Sequence, residues 1–314
     1  MPHAIEYDRL GGPEVLEYRE IPYELPGPGE VLVEVRAVGV NPIDWKLRSG
    51  ARPSKPITTP RRLGSDAAGV IVDVGEGVDG WAVGDEVIVA RISNAYATEL
   101  VVDASKLTAK PAELGWEAAA AIPVPVSTAY QVLASLEVGD GDALLLHGGS
   151  GAVGQAAIQL ARRRGATVIA TASEANHDRL RELGAIPVAY GPGLADRVRA
   201  AAPEGVDVAL DAAGTDEAIE VSKELVADHH RIGTIVLGWR AAELGIRAWS
   251  GGSPVPLTPE ESALRAEAIP LAARLAARGE FELEIAHRYP LAEAAEAHRQ
   301  SETGHVRGKI VLLP

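Results

Sequence analysis

The sequence predicts an α/β protein in which a doubly wound parallel sheet is combined with a β-rich unit. Three observations carry that reading. Up to about residue 110, short Val- and Ile-rich runs are separated by Gly, Pro and Asp at strand-and-turn spacing. Beyond it, Ala-rich helical stretches alternate with short apolar runs, and one of those runs leads straight into a glycine-rich turn and a helix.

Taken in chain order, the β-rich part offers strands at 31–40, 69–74 and 85–90, with turn signals in Pro26-Gly27-Pro28-Gly29 and Val83-Gly84-Asp85. Glycine in such turns reaches backbone angles closed to other residues. The second part offers strands at 143–147, 167–171, 186–190, 206–211 and 231–237, with helices between them. That alternation is the pattern of parallel crossovers. Near the end, 290–300 reads as helix and 308–312 as a last strand, expected to return to the first unit. The expected division is a β-rich domain over 1–112, completed by about 286–314, and an α/β domain over 113–285.

Bulk properties exclude whole classes. A chain of 314 residues is long enough for two domains, and 24% charged with 46% hydrophobic residues is ordinary for a folded protein. Thirty basic against 44 acidic side chains leave a net charge of −14, which repels phosphate backbones and anionic lipid, so neither nucleic acid nor a membrane is expected as a partner. The absence of cysteine removes disulfides, thiolate zinc sites, iron–sulfur ligation and cysteine nucleophiles together. None of the eight histidines falls in an H-x-H or H-E-x-x-H pair, so no metal set is expected. The most apolar stretch, 118–134, is broken by Pro123 and Pro125, and residues 1–10 lack the basic and apolar regions of a leader; a cytoplasmic location is expected.

The strongest chemical signal is Gly149-Ser150-Gly151-Ala152-Val153-Gly154, which follows the strand at 143–147 and opens a helix at 153–164. G-x-G-x-x-G between a strand and a helix is the dinucleotide fingerprint: it permits a tight turn, close approach of backbone N–H groups to a pyrophosphate, and close packing of helix on strand. Isolated glycine turns also arise for structural reasons, but here strand, loop, helix and next strand occur in order. The end of the second strand selects the dinucleotide, because NAD sites place a carboxylate there on the ribose 2′-hydroxyl. This chain has Ser173 there, with His177, Arg179 and Arg181 nearby, a set suited to a 2′-phosphate, so NADPH is expected over NADH. Glu174 argues the other way, and Ser173 also suits a plain N-cap. Arg162-Arg163-Arg164 closes the helix, where cations complement its dipole, and His229-His230 reads as a polar connection.

Along essentially its whole length the chain resembles the medium-chain dehydrogenase/reductases, and within them the zinc-free quinone oxidoreductase and enone reductase branch. The segments that carry the resemblance are Gly39-Val40-Asn41-Pro42-Ile43-Asp44-Trp45-Lys46, Gly64-Ser65-Asp66-Ala67-Ala68-Gly69, Ala120-Ala121-Ile122-Pro123 with Ser127-Thr128-Ala129-Tyr130, the glycine loop, Asp211-Ala212-Ala213-Gly214, and Gly308-Lys309-Ile310-Val311-Leu312. The resemblance implies a Rossmann sheet, a GroES-like catalytic domain, a homodimer, and a cofactor site that adds Thr128, Tyr190, Ala213, Leu237 and Gly238 to the glycine loop. It also implies that zinc is missing, since Asn41 and Ser65 stand where zinc relatives carry a cysteine and a histidine ligand.

The resemblance places Asn41, Asp44 and Lys46 beside the nicotinamide and substrate, with Asn41 bonding substrate or ribose, Lys46 donating to a ribose hydroxyl or the substrate oxygen, and Asp44 orienting Lys46. Each also has a structural reading: Asn41-Pro42 as a turn initiator, Asp44 as a cap, Lys46 as a solvated charge. Thr128 equally suits a buried hydroxyl bonded to backbone, and Tyr190, Trp239 and Trp249 suit packing. The expected activity is hydride transfer from NADPH to a small-molecule quinone or α,β-unsaturated carbonyl without zinc. The alternatives are an enoyl-thioester reductase, for which no basic cluster stands out to hold a nucleotide arm, and an NADPH-binding protein with a mainly structural or regulatory role.

Overall fold

The computed structural model describes residues 1–249 and 255–314. The chain divides into two compact units, Met1–Val124 with Ile269–Pro314, and Pro125–Ala268.

The second unit is a six-stranded, all-parallel sheet. Its order across the sheet is Ile186–Ala189, Thr167–Ala172, Ala143–His147, Val208–Asp211, Ile232–Thr234, Arg247–Ala248. Counted in chain order this is 3-2-1-4-5-6, the Rossmann arrangement. The central strands are continuous apolar runs, Ala143-Leu144-Leu145-Leu146 and Val208-Ala209-Leu210, because helices cover both faces of a parallel sheet. The helix Ala152–Arg163 turns Ala156, Ala157, Ile158, Leu160 and Ala161 inward and ends on Arg162 and Arg163, cations at the negative end of its dipole.

The expected strand at 231–237 is shorter. His229–Arg231 forms a 3-10 turn and the strand covers only Ile232–Thr234. The reason is local: the Thr234 hydroxyl accepts the backbone N–H groups of Val236 and Leu237 at 3.1 and 3.0 Å, which bends the chain out of the sheet.

The first unit is built on a seven-stranded sheet around the long strand Glu30–Val40. That strand pairs antiparallel with Asp66–Val74, Glu99–Asp103 and Lys309–Leu313. The last strand therefore joins this unit's sheet, and it also pairs parallel with Ile285–Pro290. Residues 290–300, expected as one helix, divide into the end of that strand, a 3-10 turn Leu291–Glu293 and the helix Ala294–Glu302. Proline at 290 lacks an N–H and marks the change. Register at the end of Glu30–Val40 matters most: Gly39 lies opposite both Asp66 and Val311, and Val40 opposite Ile310. Asn41 is thus delivered beside Asp66 and Lys309. A Cβ on Gly39 would stand 2.5 Å from the Ala120 carbonyl oxygen and 2.8 Å from Lys309 Cε, so only glycine admits this close approach. No described helix is long and apolar enough to cross a membrane.

Candidate functional site

In the parallel sheet every strand ends at the same edge, where open α/β sheets receive their ligands. Read across that edge, the strand ends lead to Tyr190, to Ser173, to the loop Gly149 through Gly154, to Ala213, and to Leu237 with Gly238. The sheet therefore brings these expected residues together. Thr128 is not on that edge: it belongs to the same unit and is buried on the helix Pro123–Ser135, which precedes the first strand.

The glycine loop is held by backbone and by buried neighbours. Gly149 N–H donates to the Thr171 carbonyl at 3.0 Å, and Gly148 N–H to the Thr171 hydroxyl at 3.3 Å. That hydroxyl lies 3.3 Å from His147 Nδ1, and His147 Nε2 lies 3.2 Å from the Ser222 hydroxyl. Burial pushes His147 down to about 4, so the imidazole is neutral and serves as a brace. Gln155, fully buried, donates to the Ser150 carbonyl at 3.0 Å. His147, Thr171 and Gln155 were not among the expected site residues; each lies next to a motif strand or loop, and only their buried polarity would have signalled them.

The glycines differ in what they need. A Cβ on Gly154 would fall 2.3 Å from the Gly148 carbonyl oxygen and 2.7 Å from Gly149 Cα, and one on Gly149 would fall 2.9 Å from the Ala170 Cβ. Both positions are closed by the protein itself. A Cβ on Gly151 would meet only the Gly148 carbonyl oxygen, at an ordinary 3.7 Å, and Gly151 has an extended backbone (φ −72°, ψ 167°) open to any residue. Nothing in this unit requires glycine there. An uncovered backbone at the start of a helix fits a pyrophosphate.

The loops beyond are tied by one carboxylate. Asp211 Oδ1 accepts the N–H groups of Ala213 and Gly214 at 2.9 and 2.7 Å, and Oδ2 accepts the Thr234 hydroxyl at 2.7 Å. Thr234 in turn holds Leu237. Burial raises Asp211 above the usual carboxylate range, against these hydrogen bonds, which lower it. Asp211 and Thr234 thus fix Ala213 and Leu237. Trp239 is exposed, whereas Trp249 is buried and donates from Nε1 to Glu261 at 2.5 Å, in keeping with a packing role.

At the strand end beside the loop, Ser173 stands at the N-cap of the 3-10 turn Glu174–Asn176 but makes no side-chain cap bond. Its hydroxyl instead accepts from Asn176 Nδ2 at 3.0 Å. His177 Nε2 lies 3.3 Å from the Ala172 carbonyl, Arg179 pairs with Glu182 at 3.3 Å, and Tyr190 is exposed.

Asn41, Asp44 and Lys46 belong to the other unit. Asn41 caps the helix Pro42–Ser49, with the Asp44 carboxylate accepting the Asn41 N–H at 2.8 Å in a capping box. The Asn41 amide is fully engaged: Nδ2 donates to Asp66 at 2.9 Å, and Oδ1 accepts from the Lys309 ammonium at 2.5 Å. Lys309 also pairs with Asp66 at 2.9 Å, with both side chains buried. Asp44 also accepts from Tyr96 OH at 3.1 Å, which lies 3.2 Å from His298 Nε2. Burial, above all, pushes Asp44 up to about 7 and Tyr96 well above its ordinary value, and pushes His298 down to about 3. Lys46 is half-buried, 5.7 Å from the Trp45 ring centroid, and lies below the ordinary lysine range because of burial and then the charge of Arg52. Asp66, Tyr96, His298 and Lys309 were not expected as site residues.

Comparison with known proteins agrees with this geometry. Residues 27–133 match the alcohol dehydrogenase GroES-like domain, and residues 183–312 match a domain described as zinc-binding dehydrogenase. The chain is 35% identical to the quinone oxidoreductase of Pseudomonas aeruginosa over all of both chains, and 33% identical to human quinone oxidoreductase over 99% of this chain and 97% of the relative. The solved quinone oxidoreductase of Escherichia coli complexed with NADPH superposes with a TM-score of 0.84 at 28% identity, over 99% of this chain and 100% of that one. Fold, glycine loop and relatives define the class, an NAD(P)H-dependent oxidoreductase. The chain belongs to the quinone oxidoreductase branch of the medium-chain dehydrogenase/reductase superfamily.

The described residues contain no cluster of three His, Asp or Glu side chains placed to hold a metal. Asn41 Oδ1 already faces an ammonium, and a second cation there would meet like charge.

Proposed function

We propose that this chain is a zinc-independent, NADPH-dependent reductase that passes hydride to a small-molecule quinone or α,β-unsaturated carbonyl, acting in the cytoplasm as a homodimer. The observation that carries the reading is Gly151, a glycine with no structural need in its own unit, standing at a helix start where a pyrophosphate would cover it. The names of the relatives and the bound NADPH of the Escherichia coli protein support the activity and the cofactor.

In this reading the N–H groups of Gly149, Ser150, Gly151, Ala152, Val153 and Gly154 hold the pyrophosphate. Ser173, His177 and Arg179 hold the 2′-phosphate, Tyr190 packs at the adenine end, and Thr128, Ala213, Leu237 and Gly238 orient the nicotinamide. Bound NADPH supplies the hydride. Lys46, half-buried with its proton held less tightly than usual, donates to the substrate oxygen that gains negative charge. Asn41 and Asp44 act through the helix Pro42–Ser49 by fixing its first turn, because their polar atoms are engaged within their own unit.

The test is oxidation of NADPH and NADH, followed by absorbance, against neutral quinones and enones with and without a zinc chelator. Chelator-resistant NADPH oxidation is expected. Turnover that needs zinc, or no turnover of any quinone or enone, would sink the reading.

A further inference from the structure

The chain carries a charge island that the cofactor site does not use. Residues 45–65 contain six of the 30 basic side chains, Lys46, Arg48, Arg52, Lys55, Arg61 and Arg62, and none of the 44 acidic ones. In a protein of net charge −14 this is a local reversal of sign. Two of the six are spent on structure: Arg48 is buried against Glu302 and the Gly11 carbonyl, and Arg62 pairs with Glu6 at 3.2 Å. Among the described residues, Lys46, Arg52, Lys55 and Arg61 have no carboxylate partner in the ion pairs of the structure.

The hydrogen bonds hold them in two pairs on one segment, Lys46 with Arg52 and Lys55 with Arg61. Arg52 N–H donates to the Lys46 carbonyl at 2.9 Å, folding the loop back over the end of the helix Pro42–Ser49. The charge of Arg52 is felt at Lys46, whose pKa it helps to lower. Arg61 clasps the same loop, donating to the Ser54 hydroxyl at 3.1 Å and to the Lys55 and Pro56 carbonyls at 2.6 and 2.8 Å. Pro53, Pro56 and Pro60 stiffen the segment, which lowers the entropy lost when it holds a ligand. Lys46 and Arg48 already complement the helix C-terminus, and Arg52, Lys55 and Arg61 follow it on the same segment beyond the last turn. Clustered cations on a stiff backbone are suited to a multiply charged anion.

Resting on the reductase reading above, we infer that the substrate of this enzyme is an α,β-unsaturated carbonyl compound carrying a phosphate-bearing arm, with Arg52, Lys55 and Arg61 receiving the phosphates while Lys46 serves the carbonyl oxygen. The sequence reading, in which no basic cluster stood out, missed it because the six cations are diluted over 21 positions and two of them are structural.

The probe is a pair of thioesters with the same reactive group: crotonyl-coenzyme A, which bears phosphates, and crotonyl-N-acetylcysteamine, which bears none. The wild-type enzyme is expected to favour the first in kcat/KM by roughly 30-fold or more, with the preference shrinking as salt is raised. In Arg52→Gln/Lys55→Gln the ratio of the two should fall about tenfold, and in Arg52→Glu/Lys55→Glu it should fall further, while circular dichroism checks the fold. NADPH affinity, followed by fluorescence, should stay within about twofold. Equal use of the two thioesters by the wild type, or an unchanged ratio in both variants, overturns the inference. So does a parallel loss of NADPH affinity, which would assign the cations to the cofactor's phosphates. Reduction of quinones with neither thioester consumed overturns it and leaves the reductase reading intact; no turnover of quinone, enone or thioester defeats that reading itself.

Discussion

The glycine loop of the α/β unit and the Asn41 cluster of the β-rich unit both hold polar groups in fixed positions, from opposite materials. The loop is made of backbone: six consecutive residues, an anchor from Gly149 N–H to the Thr171 carbonyl, and a neutral buried histidine behind it. The Asn41 cluster is made of side chains brought from far apart, with Asn41 and Asp66 separated by 25 positions and Asp66 and Lys309 by 243. A backbone site depends on shape, so it tolerates changes of charge and fails when a methyl group intrudes. A cluster of buried charges depends on balance, and fails when one member is removed.

The largest effect expected from that contrast is at Lys309. Replacing it by Met leaves the Asp66 carboxylate buried and uncompensated, which should cost about 3–5 kcal/mol of unfolding free energy in urea. The double variant Asp66→Asn/Lys309→Met should recover much of that loss. If Lys309→Met unfolds at the wild-type urea concentration, the cluster is not balanced in the way its geometry implies.

The same contrast explains what could be read from the sequence. The Rossmann strands, the glycine loop and the helix behind it are local patterns, and the strand at 143–147 and the helix starting at Ala152 fall where the spacing of apolar and glycine residues puts them. The resemblance brought Asn41 and Asp44 into view, but the partners that occupy them were invisible. Asp66 and Lys309 meet Asn41 only through the register of Glu30–Val40 with two other strands, and nothing in the local sequence states that register. Tyr96 and His298 reach Asp44 from other segments in the same way. Thr234 ended a strand expected to run on because a side chain competed for the backbone donors.

Within the loop, two glycines separate shape from ligand. Gly154→Ala should destabilise by roughly 1–3 kcal/mol, since the backbone atoms it meets cannot move aside. Gly151→Ala, an N-cap change in open space, should cost no more than about 1 kcal/mol, because glycine is favoured over alanine as a cap, while NADPH affinity falls about tenfold or more. Calorimetry and cofactor fluorescence on the two variants give the comparison. Equal loss of stability in both would mean that Gly151 is structural after all.

Cofactor choice tests side chains beside the loop rather than the loop itself. With Ser173→Asp a carboxylate faces the proposed 2′-phosphate, and kcat/KM for NADPH should drop by ~10- to 100-fold while NADH is spared or improved. A wild-type enzyme that prefers NADH would transfer the role to Glu174 and remove Ser173, His177 and Arg179 from the phosphate.

The two regions also respond differently to pH, gradually rather than at one point, and the signs are opposite. Asp44 has its pKa raised from 3.8 to about 7 in the folded protein, so it binds its proton more tightly folded than unfolded. Its contribution to stability is fully present below 3.8 and is lost as pH rises to about 7. His147 is lowered from 6.5 to about 4, so the unfolded chain takes up the proton first, and its contribution is present above 6.5 and lost as pH falls to about 4. The difference in unfolding free energy between wild type and Asp44→Asn should therefore decline across its window, and that between wild type and His147→Asn should rise across its own. Neither slope can exceed about 1.4 kcal/mol per pH unit for a single proton. His298, lowered to about 3 by burial and by Arg48, is common to all three proteins and largely cancels in the differences. Flat differences for Asp44→Asn would mean that the carboxylate is ionised in the folded protein, with Asn41, Tyr96 and Lys309 outweighing its burial.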